Sequence, residues 1–239
     1  MCRLMGFTSK VDTSFSAIAG SHFEEFALLA DCHKDGWGYA TDDSLVKEVS
    51  PATQSRTFRD AVDVEEKAAL LHFRLATNGF PINENNSHPF KRDGISFIHN
   101  GAITPSDFLI DLIEPKLLPE LTGVTDSEKY FFSVLTEMKS SPLADSLLHI
   151  IRIIKESKKY SSLNCMALSP DQYIVACEFQ QERVPADQPA DYYRLFYKVE
   201  ADGVVVASSG WDQAGWTELP NHTMMVVDRA TLALDFISI

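Results

Sequence analysis

Cys2 follows the initiator methionine of a 239-residue chain. An aminopeptidase that trims Met ahead of small side chains would leave Cys2 first, with a free α-amine and a thiol on one residue. Unperturbed, such groups titrate near 7.7–8.0 and about 8.5. One residue then carries both a nucleophile and a base, which is the logic of N-terminal nucleophiles. With Met1 still attached, the amine is a peptide nitrogen and Cys2 is only a small residue near a terminus. Arg74 lies in the run Ala-Leu-Leu-His-Phe-Arg-Leu-Ala over residues 69–76. Burying an unpaired guanidinium is costly, and its planar fork suits a carboxylate. That carboxylate belongs either to a substrate or to a structural ion pair.

Three further segments carry polar residues between apolar ones. In Ile98-His99-Asn100-Gly101-Ala102-Ile103, the Asn-Gly pair predicts a hairpin turn. The same pair can form an oxyanion hole, with the Asn100 amide and the Gly101 N–H aimed at a developing negative oxygen. Glycine suits such a place because substrate must approach the backbone closely. Thr125-Asp126-Ser127-Glu128 has capping-box spacing, and Asp126 either complements the helix dipole or holds an ammonium. His88, in the polar loop Asn86-Ser87-His88-Pro89-Phe90, either orients that loop or takes part in catalysis. His33, His72 and His99 form no ligand set with nearby acids, so no metal is assigned.

Several elements would have to position these residues. Residues 15–31 read as a loosely amphipathic helix. Residues 33–39 read as a glycine-hinged turn entering a strand. Strands are expected at 68–76 and 95–99, and helices near 126–139 and 143–158; Leu147, Ile150, Ile151 and Ile154 give the second its helical period. Strands follow at 163–168, 173–179, 192–199, 203–208 and 223–227, with a proline-bearing loop over 181–190. Strands, a helix pair, then strands again predict sheets with helices on their outer faces. Strict βαβ alternation is absent, which argues against a doubly wound parallel sheet.

Composition narrows the function classes. Hydrophobic residues make up 45% and charged residues 23%, as in ordinary globular domains. One domain over 1–239 is expected. A formal net charge of −13 disfavours nucleic acid and anionic membranes as partners. Cys2, Cys32, Cys165 and Cys177 form no CxxC pair and no disulfide framework, and no signal peptide or membrane-length apolar run is read. A cytoplasmic location is expected.

Taken in order, six segments resemble the glutaminase domain of class II glutamine amidotransferases. They are Cys2-Arg3-Leu4-Met5-Gly6, Asp35-Gly36-Trp37-Gly38-Tyr39, Arg74-Leu75-Ala76-Thr77-Asn78-Gly79, the 86–90 loop, His99-Asn100-Gly101 and the 125–128 helix start. The resemblance implies an α+β fold of the N-terminal nucleophile hydrolase type, a four-layer αββα sandwich with two antiparallel sheets. It implies Cys2 as nucleophile, Arg74 on a glutamine α-carboxylate, Asp126 on its α-ammonium, and Asn100 with Gly101 as oxyanion hole. It puts Thr77 among the substrate-binding residues and Trp37, His88 and His99 in support of the site loops. No cofactor is implied. The implied reaction is hydrolysis of the γ-amide of glutamine or another γ-glutamyl small molecule, with ammonia passed to a separate synthase subunit as one option. The long acceptor domain of large synthases such as glucosamine-6-phosphate synthase is not expected, and Asn78 stands where those synthases have histidine. The sequence is closer to short stand-alone members, including the amidohydrolase of ergothioneine biosynthesis. The alternative is a non-catalytic module that senses glutamine or docks to a partner. Oligomeric state is left open, with a dimer compatible.

Overall fold

Alternation along the first strand sets the layering of the molecule. In β1 (Arg3–Thr13), Leu4 points into one apolar core, while Met5 and Phe7 point into another on the opposite face, as strand geometry requires. This strand is central to a seven-stranded sheet, in which β1 lies between β4 (Glu66–Phe73) and β10 (Gly203–Ser208). The rest of that sheet is β2 (Trp37–Ala40) and β3 (Leu45–Glu48) on one side, and β9 (Leu195–Glu200) and β11 (Thr217–Leu219) on the other. The computed structural model describes residues 2–76, 79–157 and 159–239.

A second sheet of six strands runs in the order β13-β12-β8-β7-β6-β5. Its members are β5 (Phe90–Arg92), β6 (Ile95–Asn100), β7 (Asn164–Leu168), β8 (Gln172–Cys177), β12 (Thr223–Asp228) and β13 (Leu234–Ser238). Pairing is antiparallel throughout both sheets. Leu4, Ile98, Met166, Val175 and Val206 pack between the sheets. The short helices α1 (Phe15–Ala19), α2 (His22–Leu28) and α3 (Arg56–Val62) cover the outer face of the first sheet. The longer α4 (Asp126–Glu137) and α5 (Leu143–Ser157) cover the second. Leu147, Ile150, Ile151 and Ile154 of α5 are all buried in that outer core. The result is the four-layer αββα sandwich. No helix among the described residues is long and apolar enough to cross a membrane.

Some boundaries differ from the sequence reading. The helix expected over 15–31 is two short helices and a 3-10 turn, because Gly20 takes φ 61°. Strand β4 stops at Phe73, so Arg74 lies just past the sheet rather than within it. The Asn-Gly hairpin does not form. Strand β6 ends at Asn100 and pairs with β7, which begins at residue 164, and Gly101 has no positive φ.

Candidate active site

The entry to β1 and the end of β6 bring Cys2 and Asn100 together. The Cys2 nitrogen donates to Asn100 Oδ1 at 3.1 Å. With the oxygen engaged, Asn100 Nδ2 is buried without a hydrogen-bond partner among the described residues. The Cys2 thiol is 3.9 Å from the Leu75 carbonyl oxygen. Burial pushes the thiol pKa up, the Arg74 charge draws it down and Asp126 pushes it up again. A thiol held protonated in this way needs a base before it can attack.

Gly101 follows Asn100 for a steric reason. A Cβ there would lie 1.8 Å from Ser162 O and 2.9 Å from His99 Nε2. His99 Nε2 is 3.1 Å from that same carbonyl, and its Nδ1 is 2.8 Å from Ser127 Oγ. A carbonyl only accepts, so Nε2 carries the proton and Nδ1 accepts from the serine. Burial lowers the His99 pKa and the nearby Asp126 charge opposes that. His99 thus ties the end of β6 to the first turn of α4.

Arg74 is buried, and its backbone is clamped by the Asp35-Gly36 turn. Its N–H donates to Gly36 O (2.8 Å), its carbonyl accepts from Asp35 N (3.0 Å), and Asp35 Oδ2 accepts from Ala76 N (2.9 Å). Its Nη2 donates to Pro81 O at 3.1 Å, whereas Nη1 is buried with no partner among the described residues. No ion pair to Arg74 forms among those residues. The structural ion pair entertained from sequence is therefore absent there. Burial lowers the Arg74 pKa, against the pull of Cys2 and Asp35.

Asp126 is the first residue of α4, and its Oδ2 accepts from Ile103 N at 2.6 Å. Thr125 caps the helix by accepting from Glu128 N. The reciprocal half of the capping box is missing, since the Glu128 carboxylate takes Thr122 and Gly123 instead.

Cys2, Arg74, His88, His99, Gly101 and Asp126 line one narrow cleft with about 30 Å³ of free space. A roomier groove of about 380 Å³, beside α1 and the β9–β10 turn, gathers none of the motif residues. His88 stacks on His72 with ring centroids 4.2 Å apart, and burial holds both well below the usual histidine pKa. Trp37 does not line the cleft: it packs edge-to-face against Phe58 on the helix side of the first sheet and donates Nε1–H to Glu48. Its neighbour Gly38 matters for the loop, because a Cβ there would lie 2.0 Å from His88 O. Thr77 and Asn78 fall outside the described residues. Phe80 and the Leu75 carbonyl also face the cleft. No sequence periodicity marks either, and only their place after Arg74 pointed to them. Among the described residues, no group of three or more His, Cys, Asp or Glu is placed to hold a metal ion.

Known proteins resemble this chain in sequence and in fold. The family model described as glutamine amidotransferases class-II matches residues 1–184. A Haemophilus influenzae protein, provisionally named a glutamine amidotransferase, is 24% identical over 220 residues, covering 86% of this chain and 71% of the relative. A glutamine amidotransferase class-II domain protein structure from Silicibacter pomeroyi superposes with a TM-score of 0.67 at 19% identity, covering 99% of both chains. Glutamine phosphoribosylpyrophosphate amidotransferase from Bacillus subtilis superposes with a TM-score of 0.63 at 17% identity, over 99% of this chain and 49% of that one.

Proposed function

Because the chain belongs to the class II glutamine amidotransferases, we propose that it hydrolyses the γ-amide of glutamine or of a related γ-glutamyl compound through a thioester on Cys2. The observation that carries this reading is the split use of one side chain. Asn100 accepts from the Cys2 nitrogen with Oδ1 and keeps Nδ2 buried and unpaired beside it. A buried donor left unpaired costs about 1–3 kcal/mol. Such a cost is offset if an oxyanion fills the position during turnover.

The proposed sequence begins with loss of Met1, which turns the Cys2 nitrogen into an amine. That amine takes the thiol proton, and the sulfur attacks the γ-carbonyl carbon. The carbonyl π electrons move to oxygen, where the Asn100 amide and the Gly101 N–H stabilise the charge. Collapse re-forms the C=O and breaks the C–N bond, and the ammonium of Cys2 hands its proton to the departing nitrogen. Water, deprotonated by the same amine, then attacks the thioester, and the thiol leaves with glutamate as product. Arg74 receives the α-carboxylate on its free Nη1, and Asp126 receives the α-ammonium. His99 and His88 hold the walls, and Thr77 adds a contact to substrate. The ammonia released in this sequence either leaves as product or passes to a synthase.

The test uses protein whose N-terminus is confirmed to be Cys2, incubated with glutamine and a panel of γ-glutamyl amides. Glutamate release that vanishes in Cys2→Ala is the expected result. Release of no glutamate from any member, or turnover that survives Cys2→Ala within about tenfold, would overturn the reading.

A further inference from the structure

Two loops frame the outer side of the cleft. One follows the Arg74 segment and runs over residues 79–89. The other, residues 122–125, leads into α4. The Asn86 side chain joins them. It is 1% exposed, donates Nδ2–H to Pro81 O at 3.0 Å, and accepts at Oδ1 from Val124 N at 2.9 Å. Its own N–H is held by Asn83 Oδ1 at 2.9 Å.

The two ends of this bridge touch different halves of the cleft. Pro81 O is the same carbonyl that accepts from Arg74 Nη2 at 3.1 Å. Val124 immediately precedes Thr125, the cap of the helix that starts with Asp126. One buried amide therefore reaches from the carbonyl that orients the guanidinium to the segment that places the carboxylate. The joint has little slack. A Cβ on Gly123 would lie 2.4 Å from Asn86 Oδ1 and 2.7 Å from Asn85 O. On the far side, Glu128 takes Thr122 N, Thr122 Oγ1 and Gly123 N at 2.9, 2.9 and 2.8 Å. The 122–124 turn is thus held from both sides, by an amide and by a carboxylate.

We infer that Asn86 is a positioning residue that sets the separation of the Arg74 guanidinium and the Asp126 carboxylate, and so selects amides that carry a complete α-amino acid zwitterion. The inference rests on the reading that these two groups receive the α-carboxylate and α-ammonium of substrate. A ligand holding only one of the charges needs only one half of the cleft in place. A ligand holding both needs the two halves in register, and misplacement by about 1 Å is enough to cost up to about a hundredfold. Asn86 lines the same cleft as Cys2, but its hydrogen bonds go to Pro81, Asn83 and Val124 and none goes to Cys2 or Asn100, so the chemical step does not depend on it.

The experiment compares three substrates in wild type and in Asn86→Leu: glutamine, 4-carbamoylbutanoate, which lacks the α-ammonium, and 4-aminobutanamide, which lacks the α-carboxylate. Wild type prefers glutamine. In Asn86→Leu the kcat/KM for glutamine falls by about tenfold to a hundredfold, through KM, while the two analogues change by less than about threefold and kcat holds. Gly123→Ala, which crowds the same joint from the opposite side, moves the preference the same way and provides a second variant if Asn86→Leu folds poorly. Equal losses on all three substrates, or a lower Tm with the preference intact, would overturn the role of Asn86. Wild-type protein that hydrolyses the analogues as well as glutamine would instead remove the Arg74 and Asp126 reading, and this inference with it.

Discussion

Asn100 and Asn164 face each other across β6 and β7. Both are fully buried, yet they use their amides in opposite ways. Asn164 spends both ends on the fold: Nδ2 donates to Tyr193 O at 2.5 Å, and Oδ1 accepts from Glu178 N at 2.8 Å. Glu178, fully buried, is equally well supplied, by Tyr160 Oη, His222 Nδ1 and Lys155 Nζ. Asn100 spends only its oxygen, and its donor waits beside Cys2. Arg74 Nη1 and the ring nitrogens of His88, both on the cleft, are in the same condition. Buried polar groups are ordinarily paired. Where they are paired they hold the fold together, and of the unpaired ones that converge on the cleft, Asn100 Nδ2 and Arg74 Nη1 are those to which the proposed function assigns a ligand. The two asparagines separate these cases at adjacent positions.

The largest effect that would sharpen this contrast is Asn100→Asp. The carboxylate still accepts from the Cys2 nitrogen, but it buries a charge at some cost in stability, removes a donor and adds negative charge where the proposed oxyanion forms. Steady-state assays on protein confirmed to be folded are expected to show kcat lower by about 10²–10³ or more. A loss of only a few-fold would return Asn100 to a purely structural role. Arg74→Lys comes next. A point charge cannot reproduce a two-pronged fork, and hydrogen bonds to charged groups are worth about 1.5–3 kcal/mol, or roughly 10- to 150-fold. That loss should fall on KM, whereas a drop in Tm with normal kinetics would mean that the guanidinium serves packing.

Asn164→Ala is the mirror of the first variant. It removes the donor to Tyr193 O and the acceptor of Glu178 N in the interior, and leaving Glu178 N unpaired alone costs about 1–3 kcal/mol. Denaturant melts should register the loss while kcat stays within a few-fold. Should kcat fall as far as in Asn100→Asp, the two asparagines would have to be regarded as one unit.

The smallest effect concerns pH. His72 and His88 are held well below the ordinary histidine pKa of 6.5 by burial. Below that value the unfolded chain binds protons that the folded chain refuses. The stabilisation is therefore complete above about pH 6.5 and is lost as pH falls, by at most ~1.4 kcal/mol per pH unit for each ring. Stability of wild type and His88→Asn, measured between pH 7 and 5, should diverge in slope, with the variant shallower. Parallel lines would mean that His88 is already charged in the folded protein.

Much of the architecture was legible where a local period exists. Helix α5 shows its buried stripe in Leu147, Ile150, Ile151 and Ile154, and strands β7, β8, β10 and β12 read as apolar runs close to their observed bounds. The edge strands β3, β11 and β13 were not, because they are short and largely exposed on at least one face. Central strand β1 escaped for a different reason. Its buried residues are interrupted by Gly6, whose missing side chain is demanded from outside, by Tyr173 Oη 2.6 Å from where a Cβ would sit.

By itself the sequence determined which residues were candidates for the site and their order along the chain, since residue type fixes what a cysteine, an arginine or an amide can do. It also determined α4 and α5, the helices that cover the second sheet, whereas α3 was not read and the helix expected over 15–31 is broken at Gly20. Tertiary structure alone decided that Asn100-Gly101 is a strand end and not a hairpin, because that depends on whether the chain folds back at once or waits for β7. It decided as well that Asn100 and Asn164 part ways, and that Cys2, Arg74, Asn100 and Asp126 meet from both sheets and a helix. Pairing and convergence of that kind are set by contacts between residues far apart in sequence, to which no local pattern is sensitive.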